Sequence, residues 1–175
     1  ARWLGSLGIS PNVITILGCL LNVAVAMLIA LGRLRLGGIL LIPAFVMDAF
    51  DGAVAREMNR VTKFGAFLDS CLDRVSESAV LLALAWWYIY TKEPLLAMLA
   101  VISIIGAMLV SYTRARAEGI GVECKAGFFT RVERGLLVIL GLVSGLAPLM
   151  LWVMAAGTIV TAVHRMIYVY LHAPK

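Results

Sequence analysis

Long apolar runs recur along this chain, broken by short stretches rich in glycine, proline and charge. Runs of this length predict membrane-spanning helices rather than strands or the helices of a soluble core. Six spans are predicted, at 13–31, 36–56, 65–90, 94–114, 133–147 and 149–171. Pro11 and Asn12 suit a helix start before the first. Gly32 and the Gly37-Gly38 pair bracket a tight turn into the second, and Thr91 to Pro94 separate the third from the fourth. The segment Ala115 to Thr130 is the one long connection, and Pro148 breaks the fifth span from the sixth.

Composition agrees with an all-α polytopic membrane protein. Hydrophobic residues make up 62% and charged residues 14%, against about a quarter charged in soluble chains; mean hydropathy is +0.99. Six spans with short loops use up the 175 residues, so a single transmembrane domain over 1–175 is expected. Ala1 to Ser10 holds one charge and no signal-peptide core, and this abrupt opening suggests trimming at the N-terminus. Cys19, Cys71 and Cys124 are odd in number and form no C-x-x-C pair, so neither a zinc site nor a disulfide framework is suggested. Cys71 is expected to be a small packing residue.

Charge orients the spans. With a cytoplasmic N-terminus, Arg2, Arg56, Arg60, Lys63, Arg74, Arg114, Arg116, Lys125, Arg131, Arg134, Arg165 and Lys175 fall inside, and only Arg33, Arg35 and Lys92 outside. Positive residues favour the cytoplasmic face, so both termini are placed there. Trp86, Trp87, Tyr88 and Tyr90 then form an aromatic belt at the outer end of the third span, joined by Trp152. The net charge of +5 reflects this topology and an anionic lipid surface or substrate rather than nucleic acid.

Four carboxylates disturb the apolar pattern. Asp48 and Asp51 are three apart at the inner end of the second span, and Asp69 and Asp73 four apart at the inner start of the third. Each spacing puts its pair on one helix face, and the two spans are consecutive and antiparallel. At about 26 residues the third span reaches roughly 39 Å, against a hydrocarbon core of about 30 Å, so its first turns project to the interface. Carboxylates converging there repel one another unless a cation sits between them. Oxygen-only ligands favour Mg²⁺, or Mn²⁺, over zinc, and four carboxylates suffice for two ions. Magnesium keeps waters and binds substrate phosphates. Gly52 and Gly65 let backbone approach a diphosphate, and Arg56 offers a fork of donors to phosphate. A bland alternative pairs the aspartates with Arg56, Lys63 and Arg74 as helix-end charges. Eight specified positions, D-x2-D-G-x2-A-R-x8-G-x3-D-x3-D, argue against it, since a random window matches with odds on the order of 10⁻¹⁰.

That pattern resembles the CDP-alcohol phosphotransferase signature at every fixed position, and the resemblance extends over the whole chain because the family has six spans around the motif. It implies transfer of a substituted phosphoryl group from a CDP-linked lipid such as CDP-diacylglycerol to an alcohol, with release of CMP. By resemblance, Asp48, Asp51 and Asp69 bind two divalent ions, and Asp73 completes the cluster and acts as general base. Gly52, Arg56 and Gly65 hold the CDP moiety, and Pro11, Asn12 and Thr15 resemble the segment that closes over it. A homodimer in a prokaryotic plasma membrane, with the site facing the cytoplasm, is also implied.

A second cluster is basic: Arg114, Arg116, Lys125, Arg131, Arg134 and Arg165. Arginines converging on a cavity suit a phosphorylated acceptor, whereas positive-inside charge with snorkelling stems is the plainer account. Ser111 to Glu118 (S-Y-T-R-A-R-A-E) and Arg131 to Arg134 (R-V-E-R) resemble the prokaryotic phosphatidylinositol-phosphate synthases. This branch implies inositol 1-phosphate as acceptor, its phosphate held by Arg114, Arg134 and Arg165. The branch commonly has Lys where Arg114 stands, so a point contact becomes a fork. A phosphatidylglycerol-phosphate synthase using glycerol 3-phosphate is the alternative enzyme. A divalent-cation channel would need acids midway through the membrane, and the aspartates sit at one interface. Gly18, Ala24, Ala26, Gly106, Ala107, Gly141 and Gly145 are expected to allow close helix packing.

Overall fold

The computed structural model describes the backbone of residues 11–57, 62–124 and 126–173, with side chains from 12 to 46 and throughout the later two stretches. Within these residues all the regular secondary structure is helical: α1 (Pro11–Ala30), α2 (Leu34–Glu57), α3 (Lys63–Tyr90), α4 (Pro94–Gly119), α5 (Arg131–Ser144) and α6 (Ala147–His172). Helix ends follow local chemistry. Thr62 caps α3 by accepting a hydrogen bond from the Gly65 amide at 2.9 Å. Pro94 opens α4, where its missing N–H costs nothing. Gly145 closes α5 in the left-handed conformation at φ 79°.

Each helix packs chiefly against two others, giving the ring order α1–α3–α4–α6–α5–α2 and back to α1. The starts of α1, α3 and α5 share one end of this ring with the last turns of α2, α4 and α6, which places the candidate site residues there. Ile29, Leu81, Leu84, Leu142, Leu151 and Met154 are almost wholly buried in the core. Large apolar residues such as Leu17, Leu20, Met27, Ile39 and Leu140 face outward. An apolar exterior of this extent is that of a membrane-associated protein. Helices α1, α4 and α6 are each long and apolar enough to cross a membrane. Helix α5, at 14 residues, is only about 21 Å long.

Several expectations are corrected. Gly37 and Gly38 do not flank the first turn but lie inside α2, where Ile29 packs on the one and Leu142 and Val143 on the other. Gly32 makes that turn at φ 82°, and a Cβ there would strike the Trp87 ring. Helix α4 runs beyond 114 to Gly119, shortening the long connection to residues 120–130. The aromatic belt is thinner than expected. Trp86, Tyr90 and Trp152 are exposed, but Tyr88 is buried and Trp87 packs on the core, because the helical period turns 87 and 88 away from 86 and 90. Cys71 is exposed rather than packed. Arg2, Arg60, Lys125 and Lys175 of the orienting charges lie outside the described residues.

Of the small residues, Gly106 has a clear packing role, because a Cβ there would collide with the buried Thr158 side chain of α6. No such neighbour lies within 4 Å of Gly18. Gly106→Val is therefore expected to destabilise the protein by about 1–3 kcal/mol, read as earlier thermal unfolding in detergent. Gly18→Val should leave that unfolding unchanged.

Candidate active site

Asp69, Asp73 and Glu77 follow at four-residue intervals along the first half of α3 and so form one stripe. Asp73 is the centre of the arrangement. Its side chain is 12% exposed, and its Oδ1 lies 2.6 Å from Nη2 of Arg131 at the first position of α5. One turn on, Glu77 takes the fork of Arg134, with Nε donating to Oε1 at 2.6 Å and Nη2 to Oε2 at 2.8 Å. Arg134 is 2% exposed, and its Nη1 also donates to the Phe129 carbonyl at 3.2 Å.

Two cavities meet on these residues. One is polar and is walled by Ser70, Arg74, Ser111, Arg114, Thr130 and Arg165. The other is an apolar groove between α1, α2, α3 and α5, walled mainly by Leu41, Ala44, Phe45, Val80, Val138 and Ile139. Asp73, Glu77, Arg131 and Arg134 line both. A hydrophilic and a lipophilic molecule can thus reach the same carboxylate from opposite sides.

The expected acceptor arginines separate into distinct roles. Arg165 is 3% exposed; its Nε donates to the Ala126 carbonyl at 2.8 Å and its Nη1 to the Val110 carbonyl. It pins the 120–130 connection to α4 and α6, and Nη2 keeps its donors without a partner among the described residues. Arg114 is half-exposed and pairs through Nε with Glu118 at 2.9 Å. Arg116 is exposed and does not line the polar cavity. Arg134 lines it, but its fork is directed at Glu77.

At the ring's rim, α1 and α3 come together where the nucleotide segment is expected. A Cβ on Gly65 would lie 2.9 Å from Thr62 Oγ1 and 3.1 Å from Asn12 Oδ1. Gly65 is thus required by the cap and by Asn12 at once. Thr15 is one helical turn after Asn12 and is half-buried. Pro11 opens α1, and Asp48, Asp51, Gly52 and Arg56 fall on the latter part of α2; the side chains of these five lie outside the described ones. The donors fit hard divalent ions: Asp69 and Asp73 lie on one face, and the exposed Cys71 between them lies off it.

Sequence reasoning missed Glu77, Ser70, Arg74 and Asn22, all of which line a cavity. Glu77 was open to discovery, because it extends the 69–73 spacing by one more turn.

These features describe a helical, membrane-associated protein whose carboxylate-lined site opens on two sides. The CDP-alcohol phosphatidyltransferase family model matches residues 8–163, and the chain belongs to that family. It is similar to the phosphatidylinositol phosphate synthase of Mycobacterium tuberculosis (strain ATCC 25618 / H37Rv), at 34% identity over 177 residues covering 95% of this chain and 82% of that one. It is also similar to the archaetidylinositol phosphate synthase of Methanothermobacter thermautotrophicus, at 35% identity over 174 residues covering 94% and 85%. The M. tuberculosis enzyme crystallised with CDP-DAG bound superposes with a TM-score of 0.90 at 33% identity, covering 97% of this chain and 90% of that one. Its complex with manganese and citrate gives 0.91 at the same identity, covering 97% and 86%.

Proposed function

We propose that this enzyme transfers the phosphatidyl group of CDP-diacylglycerol to inositol 1-phosphate, forming phosphatidylinositol phosphate and CMP. The observation that carries this reading is the shared wall: Asp73, Glu77, Arg131 and Arg134 separate an arginine-lined cavity from an apolar groove. The groove suits a lipid donor entering from the bilayer. The cavity suits a phosphorylated polyol entering from water, its phosphate met by Arg114, Arg131 and Arg165, with the buried charge of Arg134 behind them. Arg116, away from the cavity, attracts anions at longer range. Kinship to enzymes named for inositol phosphate lipids supports this acceptor.

In this reading all six helices cross the membrane, both termini and the site face the cytoplasm, and the chain forms a homodimer in a prokaryotic plasma membrane. Asp48, Asp51, Asp69 and Asp73 hold two divalent ions, Mg²⁺ or Mn²⁺. When bound, the ions draw negative charge off the diphosphate and stabilise CMP as leaving group. Asn12, Thr15 and Gly65, with Pro11, Gly52 and Arg56, surround the CDP moiety. Asp73 accepts the proton of the acceptor hydroxyl as its oxygen bonds to the lipid-bearing phosphorus. The phosphorus–oxygen bond to CMP breaks in the same transfer, and the apolar groove keeps water from competing.

Purified protein with labelled CDP-diacylglycerol and Mg²⁺ should release CMP with inositol 1-phosphate and none when the metal is chelated. Release with glycerol 3-phosphate alone would replace the reading by a phosphatidylglycerol-phosphate synthase.

A further inference from the structure

We propose that Glu77 is a specificity-determining residue that reads the hydroxyl groups of the polyol acceptor. The inference rests on the acceptor reading above and goes beyond it by assigning the recognition of the sugar rather than of its phosphate. A carboxylate has about four acceptor sites on its two oxygens. Arg134 occupies one on each oxygen, at 2.6 and 2.8 Å. The others have no partner among the described residues, and the side chain is 18% exposed where it lines the cavity.

Paired with Arg134, Glu77 adds no net attraction for a phosphate but still offers acceptor oxygens to the cavity. These suit the hydroxyl-bearing part of the acceptor, with the phosphate lying towards Arg114, Arg131 and Arg165. Placement along α3 supports this division. Glu77 is one helical turn from Asp73, about 6 Å along the axis, so hydroxyls flanking the one that reacts at Asp73 fall within its reach. Hydroxyl-to-carboxylate bonds are short and strong, and the bidentate clamp by a buried arginine holds the acceptor oxygens in a fixed plane. A polyol with several hydroxyls gains from this arrangement, and one with few hydroxyls does not.

The test is a Glu77→Gln variant assayed by CMP release with inositol 1-phosphate, glycerol 3-phosphate and 1,3-propanediol monophosphate, which carry progressively fewer hydroxyls. The KM for inositol 1-phosphate should rise roughly 10-fold or more, while that for CDP-diacylglycerol stays within about twofold and the spread between acceptors narrows. A purely structural role would lower kcat for every acceptor alike and leave the KM ratios as in the wild type, which would overturn the inference. If Glu77→Gln does not fold, Glu77→Asp keeps the charge opposite Arg134 but withdraws the oxygens, and the same narrowing is required of it. Wild-type turnover of glycerol 3-phosphate but not inositol 1-phosphate would sink the inositol reading alone. The role of Glu77 would then stand or fall on whether the variant narrows the glycerol-to-propanediol ratio. Absence of CMP with every acceptor takes both readings down.

Discussion

Asp73→Asn should lower CMP formation by about 10²- to 10⁴-fold, the span usual for loss of a positioned general base. The variant keeps the size and shape of the side chain, so the helix and both cavities should persist. Its ion pair with Arg131 joins a guanidinium 41% exposed to a carboxylate 12% exposed. Pairs with so wet a partner are worth about 0–1 kcal/mol, and folding should survive the change. The assay is CMP release at saturating acceptor, with monodispersity in detergent as the folding control. Asp73 is proposed both as metal ligand and as base, and these roles separate on titration with Mn²⁺. If excess metal restores full rate, the residue is a ligand only. If Asp73→Asn is fully active from the outset, neither role stands.

The helices were legible because lipid imposes a simple rule. A chain that must satisfy every backbone group inside an apolar medium forms helices wherever apolar runs are long enough. The ends were less legible: α4 continues past Arg114 through Arg116 and Glu118, polar residues that fit a helix projecting into water. Trp87 and Tyr88 looked like interfacial anchors by composition, yet the turn at Gly32 gives Trp87 an inward seat. The carboxylates announced themselves because their types and intervals are rare together. Neither the Glu77–Arg134 pair nor the Arg165 bonds to Ala126 and Val110 could be read, since they join positions 57, 39 and 55 residues apart. Such pairings depend on the ring order of helices, which no local pattern encodes. Arg114, Arg131, Arg134 and Arg165 line one cavity and Arg116 does not, a sorting that depends on partners far apart in sequence.

Arg134→Met should cost about 3–5 kcal/mol of stability, the range usual for removing one partner of a buried ion pair. The guanidinium is 2% exposed and is held by both oxygens of Glu77 and by the Phe129 carbonyl. Its removal leaves a carboxylate that is 18% exposed without its counter-charge, in a wall whose other side is apolar. Glu77→Met should be at least as harmful, because it strands the more deeply buried charge. The two changes together should recover much of the loss, since apolar side chains of similar volume satisfy a buried site about as well as an ion pair. Unfolding of the four proteins in detergent closes a double-mutant cycle, and a coupling of roughly 1–3 kcal/mol is expected for groups in direct contact. Additive losses would mean that the pair is not the strut the geometry describes. The double variant also isolates function from folding. Stable once more, but lacking the carboxylate that faces the cavity, it should bind CDP-diacylglycerol normally and no longer favour the hydroxyl-rich acceptor.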